Sequence, residues 1–310
     1  MVFLSRIAVL LAAYNGERWI EEQIKTILSQ DGVCLDLYIS LDLSTDNSLN
    51  IITKLIEQYH NIKLLPYGQK FGSAAPNFYY LLLNVPIENY DYIALSDQDD
   101  IWFKNKLQKA INLLEAEDSF GYSGNVTAFW EDGRKKIIKK SYSQCKYDYL
   151  FESPGPGCSF VLKNELAILV REYIKLTPSM YGLDWHDWII YAFARKNNFK
   201  WIIDHNSYTL YRQHEKNQFG ANVGYVAFIR RVKDIISGYG INQTVAVIKF
   251  LGIENDKFVT KWYINEKVRY LTLSLHANEC RRRWRDKFLF FVACILMSIK
   301  KPRIIELRII

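Results

Sequence analysis

Apolar residues in the first hundred positions fall into two alternating rhythms. Short continuous runs at 7–12 (IAVLLA), 35–41 (LDLYISL), 62–65 (IKLL) and 91–96 (DYIALS) have strand length. Between them the apolar positions are three or four apart: Ile20, Ile24, Ile27 and Leu28, then Ile51, Ile52, Leu55, Ile56 and Tyr59. A turn-rich stretch with a further short helix precedes the fourth run, and Leu107, Ile111 and Leu114 mark a helix after it. Strand-length runs alternating with one-sided helical faces predict an α/β fold with a mostly parallel sheet. The run after Arg6 is too short for a secretory leader and shows no cleavage site, so it reads as the first strand.

Downstream, Gly155-Pro156-Gly157-Cys158-Ser159 opens another apolar run. The segment 183–195 has helical spacing and carries Asp184-Trp185-His186-Asp187-Trp188, WIID at 201–204 reads as a strand, and 208–220 reads as a polar loop. From about residue 223 the chain reads as helical and basic.

Composition narrows the class. With 49% apolar and 15% aromatic residues in 310 positions, the chain has enough material for a large packed core, which excludes a disordered protein. Five cysteines, at 34, 145, 158, 280 and 294, show no zinc or redox spacing, which fits a reducing compartment. The net charge of +7 is unevenly placed. Beyond Gly220 there are 17 basic and 7 acidic residues, a balance of +10, whereas residues 1–219 hold 23 basic against 26 acidic. The two regions are therefore expected to meet different surroundings.

Open parallel sheets bind ligands beyond the carboxyl ends of their strands, and three polar clusters fall there. They are Tyr14 to Glu17, Asp42 to Asn47, and Asp97-Gln98-Asp99-Asp100. Three carboxylates within four positions repel one another, a repulsion that a bound cation or a proton relieves. Oxygen-rich clusters suit Mg2+ or Mn2+. The plainer alternative is a solvated acidic turn with Asp99 or Asp100 capping the next helix. No Walker or GxGxxG spacing is present, so neither a P-loop nor a dinucleotide site is supported.

The segments AAYNGERWIEEQIKTILSQ, SLDLSTDNS, ALSDQDDIW, GPGCSFVLK, HDW and YRQHEKNQFG occur here in the order seen in glycosyltransferase family 2, and the chain resembles that family over roughly residues 5–220. SDQDDIW and YRQH look most like its bacterial rhamnosyltransferases of O-antigen and other surface-polysaccharide synthesis. The resemblance implies a GT-A catalytic domain over 1–220 and a metal-dependent inverting transfer; residues 221–310, which its motifs do not cover, read from their own charge and periodicity as a basic helical C-terminal extension. It implies L-rhamnose, carried by dTDP-L-rhamnose, moved to a lipid-linked oligosaccharide. A UDP-sugar donor is the alternative within the family.

Residue by residue, the resemblance assigns Ala13, Tyr14 and Asn15 to the donor's base and ribose. Asp42 is assigned to a pyrimidine N–H or ribose hydroxyl, although Leu41 and Leu43 replace the Asp and Gly that relatives carry beside it. Lys70, in a loop with Asn77, either meets the diphosphate or is a plain surface lysine. Asp97 and Asp99 match the DxD pair, Asp99 on the metal and Asp97 on the metal or ribose. His214 completes the metal or diphosphate shell, with Arg212 as a phosphate partner. Asp187 matches the general base, with Asp184 as rival. Trp185, His186 and Trp188 form either an acceptor platform or ordinary helix packing, and Gly157 lets the backbone approach a sugar closely.

The extension ends in a run of apolar residues at 288–299, bracketed by Arg281-Arg282-Arg283-Trp284-Arg285 with Lys287 and by Lys300-Lys301-Pro302-Arg303. Spanning a bilayer takes about 20 such residues. The basic and Trp flanks suit an interfacial helix on an anionic leaflet, the alternative being a helix packed into the protein. The expected location is therefore cytoplasmic, peripheral at the inner face of the bacterial inner membrane. A basic nucleic-acid-binding module is the alternative of another class. No recognised motif accompanies the charge, so no nucleic-acid partner is expected.

Overall fold

The computed structural model describes residues 4–177, 185–215, 238–263 and 268–300, which fall into two compact units. The first is drawn from residues 1–141 and 154–218, and the second from 142–153 and 219–310.

In the first unit the predicted alternation is present. Strands β1 (Arg6–Ala13), β2 (Cys34–Leu41), β3 (Ile62–Leu64) and β4 (Tyr92–Ser96) are parallel neighbours, separated by helices α1 (Ile20–Leu28), α2 (Ser48–Gln58) and α3 (Ala74–Asn84). Further along come β5 (Ile101–Trp102), α4 (Lys106–Ala116), β6 (Gly121–Phe129), β7 (Lys135–Ile138), β8 (Val161–Lys163), α5 (Asn164–Leu176), α6 (His186–Lys196) and β9 (Trp201–Arg212). The sheet order is β3-β2-β1-β4-β8-β6-β9-β5, with β7 beside β6. Strand order reverses between β1 and β4, so the crevice at their carboxyl ends is the ligand-binding position of an open sheet. Val9 and Leu11 of β1, Leu37 and Ile39 of β2, and Ile20, Ile24 and Ile27 of α1 are buried in one core cluster. Burial on both sheet faces explains why β1 reads as an unbroken apolar run.

Two strands depart from the sequence reading. Residues 208–212, expected in a polar loop, continue β9: Leu210 pairs with Ile101 of β5, and Tyr211 and Arg212 with Ala128 and Phe129 of β6. β6 itself has no apolar signature because its small residues make room. A Cβ on Gly121 would lie 2.1 Å from the Trp201 ring, and Trp201 Nε1 donates to Ser123 Oγ at 3.0 Å.

The second unit holds α7 (Tyr239–Leu251), α8 (Lys257–Tyr263), α9 (Arg269–Leu275), α10 (Ala277–Cys280) and α11 (Trp284–Lys300). Residues 142–153 join it through a buried ion pair, with Arg282 Nη1 3.1 Å from Asp148 Oδ2. Glu152 Oε1 also accepts from Arg282 N at 2.6 Å. Among the described residues no helix is long and apolar enough to cross a membrane. On α11, Cys294 and Met297 are buried while Trp284, Phe288, Leu289, Phe291, Leu296 and Ile299 are exposed.

Candidate active site at the carboxyl ends of β1 and β4

The loops after β1 and β2 are stitched together. Asn15 adopts a left-handed φ of 46°, and its Oδ1 accepts from Thr45 N at 2.8 Å. Gly16 N donates to Ser48 Oγ at 2.8 Å and Glu17 N to Asp46 Oδ2 at 3.0 Å. Across the crevice, Gln98 of the acidic loop binds the Tyr14 backbone at both ends, accepting from N at 2.9 Å and donating to O at 2.8 Å. A Cβ on Gly16 would sit 2.2 Å from Gln98 Oε1, so a side chain there would displace the Gln98 amide from Tyr14. Tyr14 is left 53% exposed beside this junction, whereas Ala13 is buried, its carbonyl accepting from Asp42 N.

The acidic loop is the electrostatic centre. Asp97 and Asp99 are half-buried, and Asp100 is 1% exposed with its Oδ2 lacking a hydrogen-bond partner. Burial and then repulsion from Asp99 and Asp187 push Asp97 up to about 7, and burial with the charges of Asp99 and Asp97 holds Asp100 well above the carboxylate range. Asp187 thus acts electrostatically on the β4 end from the first turn of α6. Asp187 Oδ1 accepts from Trp188 N at 2.7 Å. Asp184 lies outside the described residues.

His214, just beyond β9, brings Nε2 to 2.7 Å from Asp99 Oδ2. Arg212 donates from Nε to the Asp99 carbonyl at 2.8 Å, while its Nη2 pairs with Glu22 Oε2 of α1 at 2.5 Å. Its guanidinium therefore braces the loop as well as adding positive charge. Asp97, Asp100 and Cys158 each offer a ligand atom within 4.8 Å of the others. A clustered set of carboxylates with raised affinity for protons, one buried oxygen unpartnered, and an imidazole alongside fit a hard divalent cation. Asp97 and Asp100 of that cluster, with Asp99 of the same loop and the His214 paired with it, are the residues that could hold it.

Two residues to which the sequence reading gave no role complete this cluster. Lys106, 2% exposed at the start of α4, donates to the Cys158 carbonyl at 2.9 Å and lies 3.1 Å from the Trp102 ring centroid. Burial brings it down to about 7 against the opposing pull of Cys158, Asp100 and Asp97. Burial and the same carboxylates raise the Cys158 thiol well above its ordinary range. A lysine at a helix start reads as surface in any sequence, and no spacing rule links it to Asp97.

Other expected site residues are differently employed. Asp42 is not a free carboxylate: Oδ1 accepts from Leu43 N and Phe71 N at 2.7 and 2.9 Å, and Oδ2 from Gly72 N at 2.9 Å. It holds the Lys70 loop against β2, and Lys70 itself is exposed. Buried Asn77 donates to the carbonyls of Ser40 and Ala13 at 3.1 and 3.3 Å. His186 is stacked on Phe78 at 4.0 Å, and its Nε2 is buried without a hydrogen-bond partner. Burial takes it down to about 3, so it is neutral. A Cβ on Gly157 would lie 2.3 Å from that nitrogen, so this glycine admits a side chain of the protein itself. Trp188 is 8% exposed and packs inside, while Trp185 is half-buried at the start of α6.

The family model for glycosyl transferase family 2 matches residues 8–213. The chain is 41% identical over 288 residues to dTDP-rhamnosyl transferase RfbG of Shigella flexneri, covering 92% of this chain and 99% of that protein. It is 26% identical over 197 residues to UDP-Glc:alpha-D-GlcNAc-diphosphoundecaprenol beta-1,3-glucosyltransferase WfgD of Escherichia coli, covering 62% and 71%. Among solved structures, S. aureus TarS 1–349 in complex with UDP-GlcNAc superposes with a TM-score of 0.54 at 13% identity, over 96% of this chain and 89% of that one. The mannosyltransferase PcManGT of Pyrobaculum calidifontis, in complex with GDP-Man and Mn2+, gives 0.51 at 13% identity over 97% and 89%. These structural likenesses concern the fold, the curled, mostly parallel α/β sheet of GT-A transferases, as the motif order implied.

Proposed function

The chain belongs to glycosyl transferase family 2, and we propose that it moves L-rhamnose from dTDP-L-rhamnose to a lipid-linked glycan, with inversion, at the inner face of the membrane. The observation that carries the donor is the 41% identity that extends over 99% of a dTDP-rhamnosyl transferase.

The donor's nucleotide lies along the Tyr14–Asn15 turn, in this reading, with its diphosphate toward Asp99 and His214. Asp97, Asp99 and His214 would hold a divalent cation such as Mg2+ or Mn2+ there, which would supply positive charge to the departing diphosphate. Asp187 takes the proton of the acceptor hydroxyl as that oxygen bonds to the anomeric carbon and the bond to the diphosphate breaks. One displacement inverts the centre and needs no covalent enzyme intermediate. The charge of Asp187 is among those that raise Asp97, which supports a base within the field of the donor carboxylates. Arg212 fixes the Asp99 backbone, and Lys106 offsets the carboxylate charge from inside the protein.

The exposed apolar face of α11 supports docking on an anionic lipid surface, where a lipid-linked acceptor is found. In this division of labour residues 1–220 catalyse and 221–310 hold the enzyme at the membrane. Turnover measured across a panel of nucleotide-sugars tests the donor: dTDP-rhamnose is expected to be consumed and UDP-sugars spared, and an inert dTDP-rhamnose with an active UDP-sugar would reject the reading.

A further inference from the structure

Trp19 precedes α1, is 7% exposed, and stacks its indole on the His214 imidazole with centroids 4.0 Å apart and planes at 18°. The outer edge of that imidazole is the one that meets Asp99, at 2.7 Å. Three residues along, Glu22 pairs with Arg212, whose Nε holds the Asp99 carbonyl. The start of α1 therefore grips both ends of the segment Arg212–His214, and that segment grips Asp99 by side chain and backbone. A lone imidazole rotates about two torsions, and one of its faces must be covered if a single ring plane is to be kept. Ordinary packing would place Trp19 on aliphatic core; here its face covers the ring that serves the carboxylate.

We propose that Trp19 is a positioning residue for the transfer site: its stack locks His214 in the plane that presents Nε2 to Asp99, preforming the shell for the cation and diphosphate. The inference rests on the donor and cation reading above. Outer partners that orient a metal-binding imidazole typically carry about 10-fold to 100-fold of metal affinity.

The test reads Mn2+ binding to the full-length protein directly, from the electron paramagnetic resonance of free Mn2+, with and without dTDP, with thermal unfolding as the check on folding. Trp19→Leu is expected to weaken Mn2+ binding by about 10-fold, as is His214→Ala, and Trp19→Phe to restore it. The double variant Trp19→Leu with His214→Ala is expected to bind no more weakly than His214→Ala alone, because both remove one arrangement. If the leucine variant does not fold, Trp19→Met against Trp19→Phe makes the same comparison. Wild-type Mn2+ affinity in a folded Trp19→Leu protein, or losses that add in full in the double variant, would overturn the proposal, as would a wild type that binds no Mn2+. A wild type that binds Mn2+ but consumes no dTDP-rhamnose contradicts the donor reading alone and leaves the Trp19 comparison to stand on its own.

Discussion

Gly157 and His186 face each other so closely that Gly157 cannot gain a side chain unless His186 gives way. Gly157→Ala places a methyl 2.3 Å from His186 Nε2, and overpacking of this kind costs about 1–3 kcal/mol. Urea unfolding should report that loss, and pairing it with His186→Ala should recover part of it; an unaltered midpoint in Gly157→Ala contradicts the packing. His186 also ties stability to pH. Its folded value near 3 lies below the ordinary 6.5, so its contribution is fully present above pH 6.5 and is lost as pH falls toward 3. The limiting slope is about 1.4 kcal/mol per pH unit. His186→Gln should flatten the fall in stability between pH 6 and 4, and an unchanged slope would contradict a buried neutral imidazole. At this scale the sequence was legible where a motif names a residue and illegible where the partner is distant. Asp97, Asp99 and His214 could be picked out, but the backbone amides that fill Asp42 come from residues 71 and 72. Lys106 reaches Cys158 across 52 positions of chain.

Elements were legible where burial is two-sided. β1, β2 and β4 announce themselves as apolar runs, whereas β6 hides behind Gly121, Ser123, Gly124 and Asn125, small and polar residues that a one-dimensional reading takes for a turn. The Arg281-Arg282-Arg283 cluster misleads in the other direction. It reads as a membrane-facing patch, but Arg282 is buried against Asp148, and Arg281 donates to the Phe151 carbonyl at 2.7 Å. Arg282→Met leaves the Asp148 charge uncompensated in the interior and should lower stability by about 3 kcal/mol, measured by denaturant unfolding. A neutral effect would mean that the pair does not hold residues 142–153 in the second unit. For α11 the exposed apolar stripe, rather than the arginine cluster, is the surface to which the proposed membrane contact is assigned. Phe288→Glu with Ile299→Glu should reduce flotation with phosphatidylglycerol vesicles by about 10-fold or more, while unchanged flotation would remove α11 from the membrane contact.

For the whole molecule, a modest net charge of +7 divides into a slightly acidic region over residues 1–219 and a strongly basic one beyond Gly220, to which the proposed function gives different tasks. Three of the acidic region's carboxylates, Asp97, Asp99 and Asp100, lie at the carboxyl end of β4, where strand order reverses and the proposed donor diphosphate with its cation would be received. The family and the fold could be read from six ordered motifs because each lies at a strand end or the start of a helix, where the backbone itself constrains the residue. The extension carried only charge and periodicity, which bound its class and leave its packing to the structure. In the proposed reaction a carboxylate on α6 takes the acceptor's proton beside a donor held at the end of β4. Single-turnover transfer from dTDP-rhamnose, compared between wild type and Asp187→Asn with dTDP affinity measured on both proteins, tests it most directly. The Asp187→Asn rate is expected to be about 1,000-fold lower with dTDP affinity unchanged, and transfer at the wild-type rate would rule out a base on α6.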